Sequence, residues 1–242
     1  MTRPWKTLAR AETRDGPFEL RQRGDADFLI TFAGRVLMNG YANRSERALA
    51  ERACDALGRN ASPRVLIGGL GMGCTLRAAL DRLPANAGVE VCELHAFIAE
   101  WCRGPLAELN RNALADPRVR LTIGDIAARI STAERGSLEV ILLDLLEGPH
   151  ARSHPTRDPF YGTHALAAVH RALAPGGHFA IWSETRDEAY EARLAAGGFE
   201  TTWHRPGRGG LRHAVYVSRA TIRRPAGTRR RGRAPTSTRP KP

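Results

Sequence analysis

Four short stretches of this sequence carry side chains fit for chemistry, and each lies where an apolar run stops. The first is Gly69-Leu70-Gly71-Met72-Gly73. Glycines in such a loop permit positive φ and a close approach of backbone to ligand, and a helix starting there offers unpaired N–H groups. The GxGxxG spacing of dinucleotide loops does not fit from Gly69, because Cys74 occupies its last position. A GxGxG spacing suits S-adenosylmethionine, which has no pyrophosphate to seat. The second is Glu93, whose carboxylate can accept both ribose hydroxyls of an adenosyl group or be a solvated charge at a strand end. The third is Gly124-Asp125, where the acid can accept the adenine amino group, cap a helix, or do both. The fourth is Asp144-Leu145-Leu146-Glu147-Gly148-Pro149. Two carboxylates there can hold a substrate ammonium and help remove its proton before the amine attacks; a capped loop is the plainer alternative.

These residues need a scaffold that brings them together, and the apolar pattern supplies one. Arg64 to Gly68, Val89 to Glu93, Val119 to Ile123, Leu138 to Asp144 and His178 to Ser183 read as strands. The helices between them are expected over Thr75–Leu83, Ala96–Leu109, Asp125–Ile130 and His164–Leu173. Leu138 to Asp144 is the most apolar run and should be the central strand, covered on both faces. Strand–helix alternation demands a parallel sheet, and ligands then bind beyond the carboxyl ends of its strands. A helix from Asp187 to Ala196 and strands Phe199–His204 and His213–Ser218 follow. Only the glycine-rich loop Pro206 to Gly210 joins the last two strands, so they should form an antiparallel hairpin. The fold class is therefore α/β: a Rossmann-like class I methyltransferase fold, a mostly parallel seven-stranded sheet with a terminal antiparallel hairpin.

Residues 43–220 make up that domain. A capping box of Asn43 and Glu46 should open its first helix, and Gly58 should end it. Residues 17–42 read as a small β element of three short strands, and residues 1–16 as a loose arm. Residues 221–242 are expected to be a disordered tail, with eight basic residues, no acidic ones and almost nothing apolar. Removing those eight from the formal charge of +12 leaves +4, so the body is only mildly basic. No run approaches the roughly 20 apolar residues needed to span a bilayer, and the polar start lacks a secretory signal. The expected location is cytoplasmic. The four cysteines lack metal-site spacing and read as buried thiols. His150 and His154 are four apart, but Pro155 argues against a helix between them, so no metal is expected. Trp101 and Trp182 read as packing residues.

These features, in this order, resemble the spermidine synthases over roughly residues 15–220. The run VLIGGLGMGCTLRAAL resembles their nucleotide loop, and DLLEGP their D-x-x-D-P segment. The resemblance implies that Gly69, Gly71, Gly73, Glu93, Gly124 and Asp125 bind the donor. It makes Asp144 the catalytic aspartate and Glu147 the second acid. ALAPGGHFAIWS resembles the generic Pro-Gly-Gly turn of class I methyltransferases. Two departures stand out: Met72 occupies the place of an aspartate that holds the donor's free amine, and NRSERALAE replaces a tyrosine–histidine–glutamate motif, keeping only Glu46.

The resemblance implies transfer of an aminopropyl group from decarboxylated S-adenosylmethionine to a small-molecule amine. Met72 and the lost motif point instead to methyl transfer from S-adenosylmethionine. A reading of another class is a non-catalytic nucleotide- or RNA-binding protein that uses the arginine tail. Partners expected are the amine acceptor, a second copy in a homodimer, and weak nonspecific nucleic acid at the tail, with no membrane.

Overall fold

The computed structural model describes residues 3–57, 62–150, 154–207 and 213–221. Its larger sheet has seven strands: β5 (Arg64–Gly68), β6 (Gly88–Glu93), β7 (Val119–Ile123), β8 (Leu138–Leu143), β9 (Leu173–Ser183), β10 (Phe199–His204) and β11 (Ala214–Ala220). Their spatial order is β10-β11-β9-β8-β5-β6-β7. β5 through β9 pair parallel, whereas β11 runs antiparallel to both β9 and β10. This is the parallel sheet with a terminal hairpin expected from the sequence. β5 and β8 lie at its centre, and four residues of β5 and five of β8 are buried. That explains their unbroken apolar runs, since a parallel strand is covered on both faces.

Among the described residues six α-helices cover the sheet: α1 (Arg44–Asp55), α2 (Cys74–Arg82), α3 (Ala96–Arg103), α4 (Ile126–Ser131), α5 (Thr163–Ala172) and α6 (Glu188–Ala196). α1 buries Leu49, Ala50, Ala53 and Cys54, a stripe at helical spacing that packs into the core with α2. The expected capping box does not form. Asn43 leaves the helix N–H groups uncapped and donates from Nδ2 to Gly40 O at 3.2 Å, while Glu46 accepts from the Ser45 hydroxyl. The expected stop at Gly58 lies outside the described residues. α3 ends at Arg103 rather than Leu109, because Pro105 lacks an N–H and excludes the helical conformation at Gly104. All four cysteines are buried.

The amino-terminal segment departs from expectation. Residues 6–13 are no loose arm: β1 (Lys6–Thr13) pairs antiparallel with β2 (Gly16–Arg23), and β3 (Asp27–Phe32) and β4 (Arg35–Asn39) complete a four-stranded meander. β1 was hard to read because its apolar side chains are few and short. A register shift between Thr7 and Ala9 also breaks its alternation. An aromatic cluster fastens this sheet to the main domain: Phe18 lies against Phe32 (4.7 Å), His95 (5.2 Å) and Phe97 (5.3 Å). The proposed disordered tail lies outside the described residues, apart from Thr221. No helix among the described residues is long and apolar enough to cross a membrane.

Candidate functional site

The order β8-β5-β6-β7 sets four carboxyl ends side by side, and each of the four stretches fit for chemistry lies at one of them. The glycine loop leaves β5, Glu93 ends β6, Gly124-Asp125 leave β7, and Asp144 leaves β8. Backbone bonds continue the ladder to this rim: Asp144 N–H donates to Gly68 O (2.9 Å) and Gly124 N–H to Glu93 O (2.8 Å). The proposed donor-binding set and Asp144 thus share one edge of the sheet.

The three loop glycines have φ of +89° (Gly69), +53° (Gly71) and +82° (Gly73), which only glycine adopts cheaply. Their neighbours are protein atoms. A Cβ at Gly69 would overlap Asp144 O, one at Gly71 would sit 2.6 Å from Met38 Sδ, and one at Gly73 would sit 2.9 Å from Asn110 Cβ. The loop is therefore a tight closure of chain on chain. Gly124 differs: nothing lies within 4 Å of a Cβ placed there, so the rim is open above it.

Glu93 straps this loop in place. Its Oε2 accepts from Leu70 N–H at 2.8 Å and its Oε1 from His95 N–H at 2.9 Å, with the residue 7% exposed. Asp125 caps α4, accepting from Ala127 N–H at 2.8 Å, and its side chain is exposed on the rim. Beside these acids stand three large apolar side chains in solvent: Leu94 (62% exposed), Ile123 (48%) and Leu146 (53%). They follow β6, end β7 and follow β8, so the rim offers apolar surface next to hydrogen-bond acceptors, the combination a purine needs. Leu94 directly follows the acid that ends β6, and Ile123 lies two residues before the acid that leaves β7, so the sequence carries a signal for both.

Asp144 is half-buried and accepts from the Thr75 hydroxyl at 2.5 Å. Burial, reinforced by the negative charge of Glu46, pushes its pKa up to about 7, against the pull of the Thr75 bond. Thr75 also lies 3.4 Å from Glu46 O, so α1 and α2 meet at this carboxylate. The second acid beside Asp144 is thus Glu46. Glu147 stands exposed, and its backbone carbonyl accepts from the Tyr161 hydroxyl at 2.6 Å. Ser45 bonds Glu46 Oε2 (2.7 Å) and His213 Nδ1 (2.9 Å), and His213 packs edge-on to Trp182. The buried Nε1 of Trp182 has no hydrogen-bond partner among the described residues. His150 and His154 stack, and His154 Nδ1 accepts from His150 N–H at 2.9 Å.

Comparison with known proteins gives this arrangement its context. Spermidine synthase from Thermotoga maritima superposes with a TM-score of 0.69 over 90% of this chain and 74% of that one, at 18% identity. The chain has the fold of the spermidine synthases. A spermidine synthase in complex with the transition state analogue AdoDATO superposes with a TM-score of 0.68, also at 18% identity. In sequence, the polyamine aminopropyltransferase 2 of Streptomyces coelicolor is 32% identical over 211 residues, which cover 82% of this chain and 36% of that protein. Putrescine N-methyltransferase 3 of Nicotiana tabacum is 33% identical over 114 residues, 47% of this chain and 28% of that one. No family model matches. The chain therefore spans about a third of the length of the aminopropyltransferase it resembles over most of its own, and the relatives named are transferases.

Proposed function

We propose that this chain transfers an aminopropyl group from decarboxylated S-adenosylmethionine to a small-molecule amine, leaving methylthioadenosine. The observation that carries the reading is Asp144: a carboxylate at the end of the central strand with a pKa of about 7, beside an open rim. An amine must lose a proton to become a nucleophile, and a base with that pKa is matched to the task near neutrality. The amine nitrogen attacks the donor's methylene carbon as the carbon–sulfur bond breaks. The electron pair stays on sulfur, converting the sulfonium to a thioether, and the proton passes to Asp144. Once protonated, Asp144 can donate to Thr75 Oγ1 while that hydroxyl turns to Glu46 O, so the carboxyl is hydrogen-bonded in both states. Glu46 and Asp144 together supply negative charge for a cationic acceptor. Sulfonium donors are intrinsically reactive, so the protein's contribution is positioning and exclusion of water.

Glu93 and Asp125 are assigned to the ribose and the adenine amino group, with Leu94, Ile123 and Leu146 as the apolar walls. A second reading, methyl transfer from S-adenosylmethionine, is favoured by Met72. That residue is 1% exposed in the core and offers the donor's amine nothing to pair with. The putrescine N-methyltransferases match about half of the chain. Product analysis separates the two: methylthioadenosine supports aminopropyl transfer, and S-adenosylhomocysteine overturns it. Calorimetric titration with S-adenosylmethionine, its decarboxylated form and methylthioadenosine should rank the decarboxylated donor above S-adenosylmethionine; the reverse order would favour methyl transfer.

A further inference from the structure

One cavity of the described structure has neither Asp144 nor any donor-rim residue in its lining. It is a cleft of 420 Å³ between α1 and the end of β10, lined by Tyr41, Arg44, Arg47, Arg52, His204 and Arg205, with Glu51 the one carboxylate. Four arginines against one glutamate leave a wall of net charge three positive. Glu51 is already shared, lying 3.5 Å from Arg47 and 3.7 Å from Arg82. Arg44, Arg52 and Arg205 have no carboxylate within ion-pair distance among the described residues, although the sequence has 25 acidic residues to supply one.

The cleft is built by contact between its two walls. Gly207 has φ of +86°, and a Cβ there would overlap the Arg44 guanidinium, so the hairpin backbone lies directly on the arginine. Burial, and then the positive charge of Arg52, hold the His204 imidazole below its ordinary pKa. Like charges gathered from two elements without a counter-charge cost free energy, and an anion would repay it. Such a wall also repels an amine, which excludes this cleft as the acceptor site of the proposed transfer.

We propose that this cleft is a second binding site, for a small phosphorylated ligand carrying a pyrophosphate-like group. Guanidinium forks match phosphate oxygens in geometry, and a pyrophosphate carries about the charge the wall lacks. Tyr41, 56% exposed at the cleft, offers a ring face for a base or other flat group attached to the phosphates.

The test is calorimetric titration of the full chain with inorganic pyrophosphate at about 0.15 M salt, where loose surface attraction is largely screened. A saturable one-site isotherm is expected, unchanged when methylthioadenosine is present. The double variant Arg44→Gln, Arg205→Gln should weaken it by at least roughly tenfold, the scale of losing charge-assisted bonds. A full-chain control, Arg230→Gln with Arg231→Gln, should leave the affinity as it was. On binding, the His204 ring should become more basic by NMR titration, because the anion offsets Arg52; Arg44, Arg205 and Glu51 face the same space. No saturable heat, or equal weakening by the tail control, overturns the proposal. An unshifted His204 would place the pyrophosphate elsewhere and overturn it too.

Discussion

The negative charge of Glu46, in the first turn of α1, acts on Asp144 at the end of β8, and that influence sets the pH behaviour proposed for the enzyme. Transfer should rise with pH to a plateau above about 7, as Asp144 loses its proton. Removing the neighbouring negative charge with Glu46→Gln should let Asp144 ionise more readily, moving the acid limb of the kcat profile to lower pH. A limb that stays in place would detach Glu46 from Asp144. Asp144→Asn should cut turnover by at least roughly tenfold with donor affinity nearly unchanged, because the carboxylate serves the acceptor. Equal loss of both in a calorimetric and kinetic comparison would remove it from that role. Glu93→Ala should weaken the adenosyl ligand and also lower Tm. It strands the buried Leu70 N–H, at a cost of about 1–3 kcal/mol, and frees the part-buried His95 N–H. An unchanged affinity would take Glu93 out of the ribose site. Asp144 was legible in the sequence because it closes the most apolar strand. Glu46 as its partner was not, since only the packing of α1 on the sheet brings the two together.

The element that positions Glu93 is β6, and β6 is held to its neighbours by a part-buried ion cluster on its other face. Glu90 accepts from Arg129 Nε (2.8 Å) and Nη2 (2.7 Å), from Arg120 Nη2 (2.8 Å) and from the Thr122 hydroxyl (3.1 Å). Burial works to raise its pKa, but Arg129, Arg120 and Thr122 outweigh it and hold the carboxyl at about 2. A carboxylate depressed in the folded state stabilises the fold above its unfolded pKa of about 4.3, and the gain disappears as pH falls through the folded value. Glu90→Gln should therefore unfold at lower urea at pH 7, while the gap between variant and parent narrows toward pH 2.5. A gap constant with pH would assign the loss to packing alone. At this scale the sequence was legible wherever periodicity was strong: the five parallel strands and the Asp125 and Asp187 helix starts form as expected, with Asp187 Oδ1 accepting from Tyr190 N–H. β1 was illegible because its pattern of Lys, Arg and short residues resembles coil until β2 pairs with it.

Across the whole molecule, the sheet is completed by its last strand. Thr221 is tied into the fold: its N–H and hydroxyl both donate to Gly198 O (3.0 and 2.8 Å), and His170 Nε2 meets its carbonyl at 3.0 Å. A chain ending after Thr221 should keep its Tm and its turnover, which separates the enzyme reading from an RNA-binding one resting on the arginine tail. Loss of turnover in that variant would revive the latter. β11, by contrast, is interior. It slots between β9 and β10, although β10 precedes it in the chain. Until residues 214–220 arrive, the earlier strand has no partner and β9 presents a long apolar edge, the kind of template on which other chains stack. A nonsense mutation just upstream of Ala214 should thus yield an aggregating product instead of a weakened enzyme.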